Sequence, residues 1–315
     1  MKAVVSELRS GSPVDSLFSV KYKRAPAPYK GGWRFEFGAA DRTGEIGVSF
    51  WGGQDEQRVR SLHDSFKEGD IVRVKGIVGI WKDRLKIDVN EGSGSIEKAA
   101  VTDLRDFIPA TTKDVEALYQ ELLALVEGVQ NPGLRKLLEA FFRDQDFASA
   151  FKRAPGAMTI HHAWLGGLLE HSLGVARIAR EAARNYPGVD VDLVTAGALL
   201  HDIGKMQELE VTTNIKIGEE GMLRGHTVIG EQMLRERGRG ILDKVTLLKL
   251  SHIILSHLGK QEHGAPKVPM FAEAVIVYYA DELDSKASQF ERIKAETTSE
   301  DFRIYHKTLR EVYLR

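Results

Sequence analysis

The chain has 315 residues, more than one ordinary hydrophobic core accommodates, so two domains are expected. With 43% hydrophobic and 28% charged residues the composition is globular, and the net charge of −1 gives no bulk attraction to nucleic acid. There are no cysteines, which excludes disulfides, thiolate nucleophiles and Cys-ligated zinc, so any metal site must use His, Asp and Glu.

Met1 to Ser10 lacks the apolar core of a signal peptide, and no apolar run approaches the roughly 20 residues of a membrane span. A cytoplasmic protein with no membrane partner is expected. From about Val14 to Lys98 the pattern reads as short strands and turns. Trp33-Arg34-Phe35-Glu36-Phe37 alternates at period two, and Ile46 to Trp51, Ile71 to Val78 and Leu85 to Val89 follow between Gly-containing turns. With one further short strand, these make five over about 85 residues, and five short strands within residues 1–100 predict a small barrel.

The pattern changes in residues 101–315, with the boundary expected between about 98 and 112. Val115, Leu118, Leu122 and Leu125 predict a helix over Lys113 to Val126, and Asn131-Pro132 opens another carrying Leu134, Leu137, Leu138, Phe141 and Phe142. The remainder to Arg315 reads as helical, so the expected architecture is a β-barrel followed by an all-α domain.

Eight of the ten histidines lie between His161 and His263, and histidine is the commonest protein metal ligand. Trp164, Leu168, His171, Val175 and Ile178 share one helical stripe, which turns His171 inward. His201-Asp202 closes the apolar run Leu193 to Leu200. Asp281 shares a face with Ala274 and Val277. A single inward His is usually a hydrogen-bonded core residue, and a single inward Asp a cap or ion-pair partner. Three helices aiming such groups at one interior favour a metal, because buried charge is costly without a partner.

His171, then His201-Asp202, then Asp281 resembles the H…HD…D signature of the HD-domain phosphohydrolases. The closer likeness is to the YhaM-type 3′–5′ exoribonucleases, which join an N-terminal OB-fold to an HD domain. It is carried by His161 to Ser172, Leu199 to Lys205, Gly225-His226-Thr227, Leu255-Ser256-His257 and Tyr279 to Asp284. The resemblance implies that His171, His201, Asp202 and Asp281 hold one ion and that His226 and His257 hold a second, bridged by Asp202. Leu258 stands where many relatives carry a second His, and the number of ions, one or two, stays open. His252 reads as a satisfied helix histidine. The family points to Mn²⁺, which suits mixed imidazole and carboxylate ligands.

The implied chemistry is hydrolysis by a metal-activated water. Lys205 would neutralise charge on the phosphate, and Asp202 or a metal-bound water would handle the proton transfer. His162, near the first ligand helix, reads either as a cationic phosphate contact or as a capping or packing residue. Lys21 to Arg34 interleaves cations with Tyr and Trp, a mixture suited to single-stranded nucleic acid. Lys23, Arg24, Tyr29, Lys82 and Arg84 are assigned to that surface, and Trp33, Phe35 and Phe37 to the core. Trp51 and Trp81 stay open between the two.

The resulting expectation is a 3′–5′ exonuclease of single-stranded RNA, with DNA left open, releasing nucleoside monophosphates. Two rivals stand beside it: an HD phosphohydrolase of a small nucleotide, and a non-catalytic single-strand-binding protein. Homo-oligomerisation is left open.

Overall fold

Period-two alternation in the first hundred residues closes into a barrel. The computed structural model describes residues 4–100, 104–159, 161–297, 301–306 and 309–314. The chain divides into two units, Met1–Pro109 with Val211–Asn214, and Ala110–Glu210 with Ile215–Arg315.

The first unit contains β1 (Pro13–Lys23), β2 (Ala27–Tyr29), β3 (Gly32–Asp41), β4 (Gly44–Trp51), α1 (Glu56–Asp64), β5 (Ile71–Trp81), β6 (Arg84–Asn90) and β7 (Ser95–Ala99). The strands run in the order β1-β3-β4-β6-β5, and β5 pairs back onto β1 to close the barrel. The β4–β6 pair is parallel and the other barrel pairs are antiparallel. With α1 between the third and fourth barrel strands, this is an OB-fold. β2 extends β3, and β7 extends β5.

Phe18, Val20, Phe35, Phe37, Val72, Val74, Ile87 and Val89 fill the barrel, and Trp33 packs half-buried against them. Each fully buried apolar side chain contributes roughly 1.5–3 kcal/mol. Helix α1 is absent from the sequence reading because it is short and polar and buries only Val59. Its start is set by Asp55, whose side chain accepts from Arg58 N at 3.0 Å.

The second unit contains α2 (Val115–Glu127), α3 (Pro132–Phe142), α4 (Gln145–Phe151), α5 (Gly167–Ala183), α6 (Val191–Leu200), α7 (Lys205–Glu208), β8 (Leu209–Val211), β9 (Ile215–Ile217), α8 (Glu219–Gly238), α9 (Lys244–Ser256), α10 (Ala272–Glu296), β10 (Arg303–His306) and β11 (Arg310–Tyr313). Asp114 caps α2, and Asn131 caps α3 ahead of Pro132 at its first position. α5 packs on α6 and α10, and its buried residues join one core with Leu122, Leu134, Phe141, Val194, Leu199 and Val277.

Two expectations are corrected here. The region after residue 101 is not wholly helical, since β8–β9 and β10–β11 form two short hairpins. Arg303-Ile304-Tyr305-His306 in fact alternates at period two, with Ile304 opposite the buried Val312. Helix α5 starts at Gly167, so Trp164 precedes it, and the inward stripe is Leu168, His171, Val175 and Ile178. No described helix is long and apolar enough to cross a membrane.

Candidate metal centre

An almost uninterrupted apolar helix ends where the chemistry begins. Leu193 to Leu200 of α6 are all buried, and His201 and Asp202 follow at once, with 0% and 1% exposure. Around this pair α5 supplies His171, α8 supplies His226, α9 ends at His257, and α10 supplies Asp281 and Asp284.

Asp202 lies at the centre. Its Oδ2 is 3.3 Å from both His171 Nε2 and His201 Nε2. Its Oδ1 is 3.3 Å from His257 Nε2 and 3.5 Å from His226 Nε2. Asp281 Oδ1 is 3.1 Å from His171 Nε2 and 3.9 Å from His201 Nε2. One carboxylate therefore presents each of its oxygens to a different pair of imidazoles.

The outer nitrogens explain why the inner ones converge. His171 Nδ1 meets Asp284 Oδ2 at 2.8 Å, and His226 Nδ1 meets Glu208 Oε1 at 3.0 Å. His201 Nδ1 meets Ala198 O at 2.8 Å, and His257 Nδ1 meets Ile254 O at 2.7 Å. These partners only accept, so each Nδ1 carries a proton and Nε2 is the nitrogen each ring turns inward. His171 Nε2 and His201 Nε2 stand 3.2 Å apart on that basis. Asp202 Oδ1, His226 Nε2 and His257 Nε2 are buried with no hydrogen-bond partner. Such orphans are rare in folded proteins, and converging lone pairs repel. A divalent cation satisfies them, and imidazole with carboxylate is the donor set such ions accept.

Burial disfavours charge on His171, but hydrogen bonding to Asp202, Asp281 and Asp284 outweighs it and raises its pKa well above the usual imidazole range. Burial likewise opposes ionisation of Asp202, yet Lys205 and the imidazoles hold its carboxyl well below the carboxylate range. Lys205, the first residue of α7, places Nζ 2.6 Å from Asp202 Oδ2, and that contact raises its pKa despite burial.

His162 stands in the loop before α5, at φ 52°, with its ring 5.2 Å from those of His171 and Trp164. Burial lowers both it and His161 to about 4, so at neutral pH neither is a cation. His252 is satisfied elsewhere: its Nε2 accepts from Met270 N at 3.1 Å and its ring packs on Phe271. Asp284 and Glu208 are the functional residues missed by sequence reasoning. Both make their contacts far along the chain, Asp284 to His171 and Glu208 to His226.

On the barrel, Lys23 Nζ donates to the His63 and Phe66 carbonyls at the end of α1 and lies over the Phe66 ring, so its ammonium is already engaged. Arg24 pairs with Glu36 at 3.2 Å on the surface. Tyr29 donates to Gly52 O at 3.1 Å and meets Trp51 edge-on. Lys82 and Arg84 are exposed at the β5–β6 turn, where Lys82 and Asp83 take positive φ. Trp51 and Trp81 both stand outside the barrel core, and Lys86 Nζ lies 5.1 and 5.5 Å from their ring centroids. The structure thus gathers Tyr29, Trp51, Lys86 and Trp81 along one line of contacts, and leaves Lys23 outside it.

Residues 168–286 match the HD domain family. All the ligand-type residues described above, together with Lys205, Glu208 and Asp284, fall inside that match, whereas His162 lies before it. The second unit therefore carries an HD domain, the fold of metal-dependent phosphohydrolases. Solved structures resemble the barrel only in part. The OB domain of Ta0387 from Thermoplasma acidophilum is 16% identical over 32% of this chain and 89% of its own, with a TM-score of 0.25. A domain of replication protein A from Methanococcus maripaludis is 22% identical over 32% of this chain and 100% of its own, with a TM-score of 0.26. The p204 HINb domain is 14% identical over 31% of this chain, with a TM-score of 0.25, and this chain spans 47% of its length.

Proposed function

We propose that the chain is a metal-dependent 3′–5′ exonuclease that degrades single-stranded RNA to nucleoside monophosphates, with DNA left open as a substrate. The observation that carries the catalytic half is Asp202, whose two oxygens each face a pair of imidazole Nε2 atoms. His171, His201, Asp202 and Asp281 would hold one ion, and Asp202, His226 and His257 a second, with Mn²⁺ as the expected metal. Such ions, when bound, generate hydroxide near neutral pH and stabilise charge on phosphoryl oxygens.

The protein's own groups do the rest. Lys205 offers a buried ammonium to the negative phosphate, where low dielectric strengthens the attraction. His162 offers a neutral donor, and Asp202 or a metal-bound water would handle the proton transfer. Support for a polymer substrate comes from the OB barrel in the same chain. Arg24, Lys82 and Arg84 would follow phosphates, Tyr29 would flank a base, and Lys23 would add positive field only, because its ammonium is engaged.

A substrate panel tests this reading. With Mn²⁺ the protein is expected to shorten single-stranded RNA while leaving cyclic nucleotides and nucleoside triphosphates intact. Turnover of the small nucleotides alone would replace the exonuclease with a nucleotide phosphohydrolase. Metal-independent RNA binding without turnover would make the chain a binding protein.

A further inference from the structure

Helix α8 is broken at Gly225, which takes φ 69° and ψ 154°, a conformation closed to residues with a Cβ. The break frees the His226 amide from the helical ladder, and Glu208 meets it. Glu208 Oε1 accepts from His226 N at 2.9 Å and faces His226 Nδ1 at 3.0 Å. A single oxygen thus caps the helical segment that begins at His226 and fixes the proton on Nδ1 of the same residue.

The contact is built into the backbone. A Cβ at Gly221 would stand 2.4 Å from Glu208 O and 2.7 Å from Glu208 Cγ. A Cβ at Gly204 would stand 2.0 Å from His226 O. These two glycines let α7 approach α8 closely enough for Glu208 to reach the break.

The other imidazoles are oriented differently. His201 and His257 use carbonyls three residues back in their own chain segments, and His171 uses Asp284, on the same helix as Asp281. His226 depends on a helix break and on a side chain from a four-residue helix.

We propose that Glu208 is the positioning residue of the second ion subsite. It selects the His226 tautomer and fixes where the ring stands at the Gly225 break. Occupancy of Asp202, His226 and His257 therefore depends on Glu208, whereas that of His171, His201, Asp202 and Asp281 does not. This inference rests on the two-ion reading given above.

Calorimetric titration of the full chain with Mn²⁺ tests it, comparing wild type, Glu208→Ala, Glu208→Gln and His226→Ala, with folding checked by circular dichroism and melting. Wild type is expected to bind two ions. Glu208→Ala should weaken the second roughly 10–100-fold and leave the first unchanged. Glu208→Gln keeps the shape and the Oε1 acceptor, so its second ion should stay within about tenfold of wild type, the lower edge of that range. This variant tests the idea even where the alanine protein fails to fold. Wild-type affinities in Glu208→Ala, equal weakening of both ions, or a Gln variant as impaired as the Ala variant would each overturn the positioning role. A single ion bound by wild type would instead remove the two-ion reading, and two ions bound at wild-type affinity by His226→Ala would remove His226 from the second subsite; either result removes this inference with it.

Discussion

Asp202 Oδ1 and His257 Nε2 are 3.3 Å apart, both are buried, and neither has a hydrogen-bond partner. With Nδ1 of His257 committed to the Ile254 carbonyl, the two atoms meet as lone pair against lone pair. Such an arrangement is stable when a cation lies between the groups. Asp202→Asn should therefore lose metal from both subsites, by more than the 10–100-fold typical of residues one layer out. Metal content after dialysis and Mn²⁺ calorimetry measure this. Retention of two ions at wild-type affinity would contradict the bridge.

Asp284 should matter for metal affinity although it faces the outer nitrogen of His171. Asp284→Asn weakens control of the tautomer and should cost roughly 10–100-fold in affinity for the first ion. Gly174→Ala should act in the same direction, because the new Cβ would stand 2.1 Å from Asp284 Oδ1. Titration of both variants with Mn²⁺ checks the pair.

Lys205 should divide binding from turnover. Lys205→Met removes the ammonium beside Asp202 but no ligand atom. Metal affinity should stay near wild type while kcat falls on the order of 10²–10³-fold, the range for loss of one preorganised charge stabiliser. A large loss of metal with unchanged kcat per bound site would assign Lys205 to the metal instead.

Metal binding should strengthen as pH rises. In the metal-free protein His171 is held protonated between Asp202, Asp281 and Asp284, its pKa raised well above the usual value, so an incoming ion must displace that proton. The increase in melting temperature caused by a fixed Mn²⁺ concentration should grow from mildly acidic to mildly alkaline buffer. At a concentration 100 times Kd the stabilisation is about 2.7 kcal/mol. A thermal shift that shrinks with rising pH would contradict the protonation assigned to the empty cluster.

The barrel surface makes a separate prediction. Trp81→Ala should weaken single-stranded RNA binding by about 1–3 kcal/mol, as loss of one stacked base does. The double variant Lys82→Glu/Arg84→Glu should also flatten the salt dependence. Mn²⁺ affinity should not change in either. Fluorescence anisotropy at several salt concentrations reads both effects.

His171, His201, Asp202 and Asp281 were legible in the sequence as inward groups because each ends or punctuates an apolar periodic stretch, whereas His226 and His257 came only from the family resemblance. His171 sits on the Leu168–Val175 stripe, and His201-Asp202 closes Leu193 to Leu200. The barrel was legible from alternation, and its core Phe35 and Phe37 follow directly from it. The outer partners were harder. Asp284 lies in the run Asp281-Glu282-Leu283-Asp284, which reads as a solvated face until α10 is packed on α5. Glu208 acquires its role only from the break at Gly225, seventeen positions away, and periodicity carries no such long-range information. Gly204 looked like part of a motif, and the structure supplies the reason: a side chain there would strike the His226 carbonyl. Helix α1 and the β10–β11 hairpin were missed because each buries few residues.

The most direct test is hydrolysis of a 5′-labelled single-stranded RNA with Mn²⁺ by wild type and by His201→Ala/Asp202→Ala. The account predicts a ladder that shortens from the 3′ end in wild type and an intact oligonucleotide with the variant. An oligonucleotide left intact by wild type under Mn²⁺ and other divalent metals, or cut equally by the variant, would contradict it.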